Sequence, residues 1–221
     1  MAARRSKKKE LERTKNILDV LADDYRHAEC ALEYQNAFEL LVATILSAQC
    51  TDVRVNMVTP RLFAAYPTPA AMAEAGEQEL QQLIRSTGFF RNKARNLLGM
   101  ARLVVSDFGG EIPTTMAEML TLPGVARKTA NVVLGTAFGI PAGVVVDTHV
   151  SRISQRLHLT GKTAPVPIEK DLMVAIPKDR WIEFSHQLIH HGRQVCRARK
   201  PLCSDCRLAE FCPSFALLGA S

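Results

Sequence analysis

Residues 122–133 read LPGVARKTANVV. Leu122 and Val125 bracket Pro123-Gly124, and a glycine at that point permits the left-handed backbone of a tight turn between two helices. The amides after Gly124, from Val125 through Ala126 and Arg127 to Lys128, are expected in the first turn of the second helix, where they lack intrahelical partners. Such amides, together with the positive end of the helix dipole, form an anion site, and a nucleic-acid phosphate is a natural occupant. Lys128 stands at the same helix end. The dipole and the neighbouring Arg127 both disfavour an ammonium there, and a neutral amine is the form an amine nucleophile needs. An ordinary solvent-facing lysine fits the same spacing, so the choice depends on the rest of the chain.

Outward from this hairpin the pattern is helical almost throughout. Phe38, Leu41, Val42, Ile45 and Leu46 recur at helical spacing in NAFELLVATILSAQ, as do Leu80, Leu83 and Ile84 before a stop at Gly88. Ala94, Leu97, Leu98, Ala101 and Val105 mark a further helix that ends near Gly109-Gly110. Met116, Met119 and Leu120 lead into the hairpin, Val132, Val133 and Phe138 follow it, and Trp181, Phe184, Leu188 and His191 line one more helix. Pro60 predicts that the helix after Asp52 is kinked or begins late. The sole strand-like run, Val144 to Val146, is too short to build a sheet. The fold class is therefore all-α.

The 221 residues are 47% hydrophobic, enough for a packed core and inconsistent with a disordered chain. The formal net charge of +6 favours a polyanionic partner. No apolar run approaches the roughly 18 residues of a membrane span. The N-terminus, MAARRSKKKELERTKNIL, has no secretory apolar segment and reads as a basic tail feeding an amphipathic helix. A cytoplasmic protein is expected, nucleoid-associated in a bacterium.

Asp147, in VVVDTHVSRI, lies between an apolar run and a helical pattern, the position of an N-cap. A carboxylate at a helix N-terminus is stabilised as an anion. It suits a fixed negative charge that assists a lysine or stabilises a cation. Further on, Cys196, Cys203, Cys206 and Cys212 fall within 17 residues as C-x6-C-x2-C-x5-C. Without a secretory signal they read as a metal site and not as disulfides. Zinc sites more often pair two C-x2-C knuckles, so the single knuckle favours iron–sulfur over zinc while leaving both open. Arg197, Arg199 and Lys200 lie between the first two cysteines, placed for phosphate contacts.

Taken together these segments resemble the endonuclease III family of DNA glycosylases. LPGVARKTANVV resembles its helix–hairpin–helix, VVVDTHVSRI its aspartate segment, ELLVATILSAQCTD the helix before its DNA-probing loop, and the cysteine spacing matches its [4Fe–4S] loop. The likeness covers about residues 30 to 213. It implies two helical domains, a six-helix barrel over residues 30–140 and a cluster domain of residues 1–29 plus 141–221, with the catalytic cleft between them. It also implies a monomer acting on damaged double-stranded DNA with one [4Fe–4S] cluster, and no membrane partner. Lys128 would attack the sugar and form a Schiff base, with Asp147 assisting. Gln49 would enter the gap left by a flipped nucleotide, and Phe89, where relatives often carry an aliphatic residue, would act as a wedge. The family hairpin usually has a second glycine where this chain has Ala126. A non-catalytic DNA-binding protein with a structural metal explains the hairpin, the basic loop and the charge equally well. An electron carrier explains the cysteines alone. The pairing of Lys128 with Asp147 separates an enzyme from both.

Overall fold

The computed structural model describes residues 7–218. Its helices, in chain order, are α1 (Lys7–Asp24), α2 (Ala37–Leu46), α3 (Asp52–Ala65), α4 (Pro69–Ala73), α5 (Glu77–Ile84), α6 (Phe90–Phe108) and α7 (Met116–Met119). They continue with α8 (Arg127–Phe138), α9 (Thr148–Arg156), α10 (Pro165–Ala175), α11 (Trp181–Gln194) and α12 (Phe215–Leu218). No strand occurs among the described residues, and none of their helices is long and apolar enough to cross a membrane. The basic residues before Lys7 lie outside the described residues.

The chain divides into two compact units. One is Cys30–Ala142; the other joins the described residues through Glu29 with those from Gly143 onward. In the first, α2 is the central element, with all its residues except Ala37 buried, as a helix apolar on every side must be. Its start is fixed by a reciprocal cap. The Glu39 amide donates to Asn36 Oδ1 at 3.0 Å, and the Gln35 amide donates to Glu39 Oε2 at 2.7 Å. Leu40, Leu41 and Leu46 of α2, Leu62 of α3, Leu80 and Ile84 of α5, and Leu97 and Met100 of α6 are fully buried. Each such side chain contributes about 1.5–3 kcal/mol of burial.

Helix α3 starts at Asp52, capped by Thr51, and runs through Pro60. The late start expected for this helix does not occur. Proline forfeits one intrahelical bond, but Val58, Thr59 and Leu62 around it are buried, so packing holds the turn. At the other end of the unit α6 stops at Gly109 and Gly110, both left-handed, with the Gly110 amide donating to Val104 O at 2.9 Å.

The second unit packs α11 against α1 and α9. Trp181, Phe184, Leu188 and His191 form the buried face of α11, and the first three meet Ile17 and Leu21 of α1 and Val150 and Ile153 of α9 in one core. The α9–α11 crossing is close: a Cβ on Gly192 would lie 2.6 Å from His149 Nδ1 and 2.9 Å from Ile153 Cδ1. Buried Arg13 of α1 donates to Leu157 O at 2.8 Å and Phe211 O at 3.1 Å, tying α1 to the end of α9 and to the cysteine loop.

Candidate DNA interface, catalytic residues and cysteine pocket

The hairpin is held from beneath. Leu122 and Val125 are buried in the core of their unit, and the Val125 amide donates to Leu122 O at 3.1 Å. The Val125 N–H is thus used inside the turn, and α8 begins two residues later, at Arg127. Gly124 has φ +78°, and a Cβ there would lie 2.8 Å from Asn96 Cβ of α6. Both its backbone and its surroundings therefore require glycine. Gly124→Ala is expected to destabilise the protein by about 1–2 kcal/mol from the left-handed backbone alone, and by more through Asn96. A thermal unfolding midpoint equal to that of the unaltered protein would show that the turn relaxes freely.

Ala126 stands at the N-cap of α8 in extended conformation, φ −91° and ψ 169°. The absent second glycine therefore costs no backbone strain, because this position does not need a positive φ. No side chain caps the helix, so its start is open for an external acceptor. Lys128 is the second residue of α8, with an exposed side chain.

Two exposed residues of the same unit have positive φ although they are not glycine: Gln49 at 54° and Phe89 at 46°. Phe89 is 64% exposed at the N-cap of α6. Left-handed backbone at bulky residues is uncommon and clusters where function fixes it.

In the other unit Asp147 is the N-cap of α9, its Oδ1 accepting from the Val150 amide at 2.8 Å. The adjacent His149 is pushed below the ordinary histidine range chiefly by burial, with Asp147 opposing the shift. It is therefore neutral at pH 7 and leaves the Asp147 charge uncompensated from that side.

Cys196, Cys203, Cys206 and Cys212 line one pocket together with Ile153, Leu157, Val195 and Leu208. None is in a disulfide. Among the described residues no group of three or more His, Cys, Asp or Glu side chains is placed to hold a single metal ion. Four thiols lining one pocket can together ligate either a zinc ion or an iron–sulfur cluster, which takes one thiolate per iron. The walls suit such a group. Arg156 Nη1 donates to Cys196 Sγ at 3.2 Å, and His191 Nε2 lies 3.8 Å from Cys206 Sγ. Burial pushes the Cys206 thiol up to about 11 and holds His191 down at about 4, so His191 is neutral. Tyr25 Oη, 3.0 Å from His191 Nδ1 and itself pushed up to about 12 by burial, is protonated and can donate there.

Arg197, Arg199 and Lys200 are exposed on the loop after Cys196. The loop is fastened by two arginines of α9 that sequence reasoning missed. Arg152 Nη2 donates to Cys196 O at 2.9 Å, and Arg156 donates to Arg197 O at 2.8 Å and Ala198 O at 2.9 Å. Their signal in the sequence is slight: Arg152 and Arg156 are four residues apart in a helix and therefore share a face.

The class of protein follows from comparison with known chains. Residues 42–178 match the HhH-GPD superfamily of base excision DNA repair proteins. Within that superfamily the chain belongs to the endonuclease III family. It is 60% identical to endonuclease III of Synechocystis sp. over 92% of this chain and 93% of that protein. It is 40% identical to endonuclease III of Escherichia coli strain K12 over 89% and 92%. A solved non-covalent endonuclease III–DNA complex superposes with a TM-score of 0.90 at 42% identity, covering 96% of this chain and 99% of that one.

Proposed function

We propose that the protein removes oxidised pyrimidines from duplex DNA and then cuts the strand at the abasic site through a Schiff base on Lys128. Base excision by a DNA glycosylase with abasic-site lyase activity is the reaction of its family. The observation that carries the assignment of Lys128 is its exposed position at the uncapped start of α8, next to the turn held by Gly124. Amides at that helix end, with Ala126 and Arg127, grip a backbone phosphate and fix the strand. The neutral amine of Lys128 attacks C1′ of the flipped nucleotide as the bond to the base breaks. Opening of the sugar gives the protonated Schiff base. Loss of a C2′ proton then breaks the bond from C3′ to its phosphate oxygen, and water releases the lysine. Asp147 assists Lys128 and, as a fixed negative charge, stabilises the positive charge developing on the sugar. Gln49 fills the gap in the duplex and Phe89 wedges beside it.

A duplex carrying one oxidised pyrimidine, incubated with borohydride, should yield a covalent protein–DNA product, whereas undamaged duplex should not. Equal trapping on an oxidised purine would overturn the substrate class. Trapping of neither would remove the lyase assignment.

Cys196, Cys203, Cys206 and Cys212 would hold one [4Fe–4S] cluster, which would contribute a rigid fold for the loop, since all four ligands are protein thiolates and no position is left open. With that loop fixed, Arg197, Arg199 and Lys200 face phosphates, each neutralised phosphate adding about 0.9 to the salt slope of binding. The isolated protein should contain about four iron atoms per chain and absorb broadly in the visible. Cys206→Ser should lose the band and lower the salt slope. Stoichiometric zinc in a colourless protein would refute the cluster.

A further inference from the structure

Lys93 is 4% exposed and plays no part in the chemistry above. Its ammonium donates to Leu46 O at 2.7 Å and to Thr87 O at 2.7 Å. Its backbone amide donates to Phe89 O at 3.1 Å. Leu46 is the last residue of α2, three residues before Gln49, and Thr87 lies two residues before Phe89. One side chain thus grips the stems of two exposed segments, each carrying a left-handed residue that is not glycine at its tip.

We propose that Lys93 is a positioning residue that sets Gln49 and Phe89 at a fixed separation, so that the two enter a DNA duplex as one probe. The inference rests on the roles of Gln49 and Phe89 proposed above. Its physical basis is the number of bonds. The carbonyl of Leu46 is one of the last of α2 and has no partner further along that helix, so a cation there is favoured by the helix dipole as well as by the hydrogen bond. The second bond closes a bridge from that helix end to the short 3-10 turn Arg85–Thr87, where Thr87 Oγ1 in turn donates to Ile84 O at 2.8 Å. Burial pushes the Lys93 amine below the ordinary lysine range, and the two carbonyls favour the charged form that the bridge needs. Left-handed conformations at a glutamine and a phenylalanine persist only where neighbouring structure over-determines them. The stems are the parts of these segments that the protein holds; their tips are exposed.

The test separates positioning from stability by taking a ratio. Excision of an oxidised pyrimidine from duplex needs the probe, because the gap left by the flipped nucleotide must be filled. Cleavage of an abasic site in single-stranded DNA uses the same lysine and needs no filling. Both rates scale with the amount of folded protein, so their ratio is independent of partial unfolding. Lys93→Met in the full chain should lower the duplex-to-single-strand ratio by about 100-fold, the scale of an ångström-level misplacement. Lys93→Gln, which keeps two donors one bond short of the carbonyls, should lower it less. Gln49→Ala and Phe89→Ala should lower the same ratio. If both lysine variants keep the ratio of the unaltered protein while Gln49→Ala and Phe89→Ala lower it, the bridge does not position the probe and the inference is wrong. If Gln49→Ala and Phe89→Ala also leave the ratio unchanged, it is the probing roles that fail.

Discussion

Lys128→Ala should abolish the borohydride-trapped complex and lower strand cleavage by at least about 10³-fold, the scale seen when a covalent nucleophile is removed. Binding to the same duplex should change only a few-fold. The reason lies in the clamp proposed for the hairpin. The clamp consists of backbone: a turn fixed by left-handed Gly124 and by buried Leu122 and Val125, leading to a helix start without a side-chain cap. Truncating an exposed side chain on the second residue of α8 leaves all of this in place. Arg127→Ala is the matching control. It should reduce the salt slope of binding by up to about 0.9, as for one phosphate contact, and keep the trap. Lys128→Ala protein that still forms the covalent product would show that another amine carries the reaction.

The sequence already displayed what depends on periodicity and spacing. The stripe Trp181, Phe184, Leu188 and His191 is the buried face of α11, the double glycine at 109–110 ends α6, and Asp147 is an N-cap. Four cysteines within 17 residues share one pocket. What escaped was made of single side chains reaching backbone carbonyls far along the chain, which leave no repeating trace. Arg13 reaches Phe211 O, Arg156 reaches Ala198 O, and Lys93 reaches Leu46 O. Lys93 did leave a mark that could have been used. It lies on the apolar stripe of α6 with Leu97, Met100 and Val104, all buried, and a lysine on such a stripe needs partners for its charge. Val125 shows the opposite limit. Its place after the glycine suggested an open amide, but the turn closes on Leu122 O before the helix begins. A motif fixes the order of residues and leaves open which N–H the turn itself uses.

Asp147 offers a cleaner separation of structure from chemistry than Lys128, because two substitutions divide its two tasks. Its Oδ1 accepts from the Val150 amide at 2.8 Å. Asparagine caps a helix about as well as aspartate and presents the same oxygen, so Asp147→Asn should change stability by no more than a few tenths of a kcal/mol, whereas Asp147→Ala should cost about 1 kcal/mol. The charge is lost in both. If Asp147 stabilises positive charge on the sugar, each substitution should lower base excision by at least about 10²-fold, comparable to losing one fixed electrostatic contact to a transition state. Duplex affinity should be retained or rise slightly, since one negative group near phosphates has gone. The decisive comparison is therefore Asn against Ala. Equal loss of turnover with unequal loss of stability assigns the effect to the carboxylate charge. Near-normal turnover in Asp147→Asn, with Asp147→Ala impaired only as far as it is unfolded, would reduce Asp147 to a helix cap and leave Lys128 without the carboxylate charge this mechanism gives it.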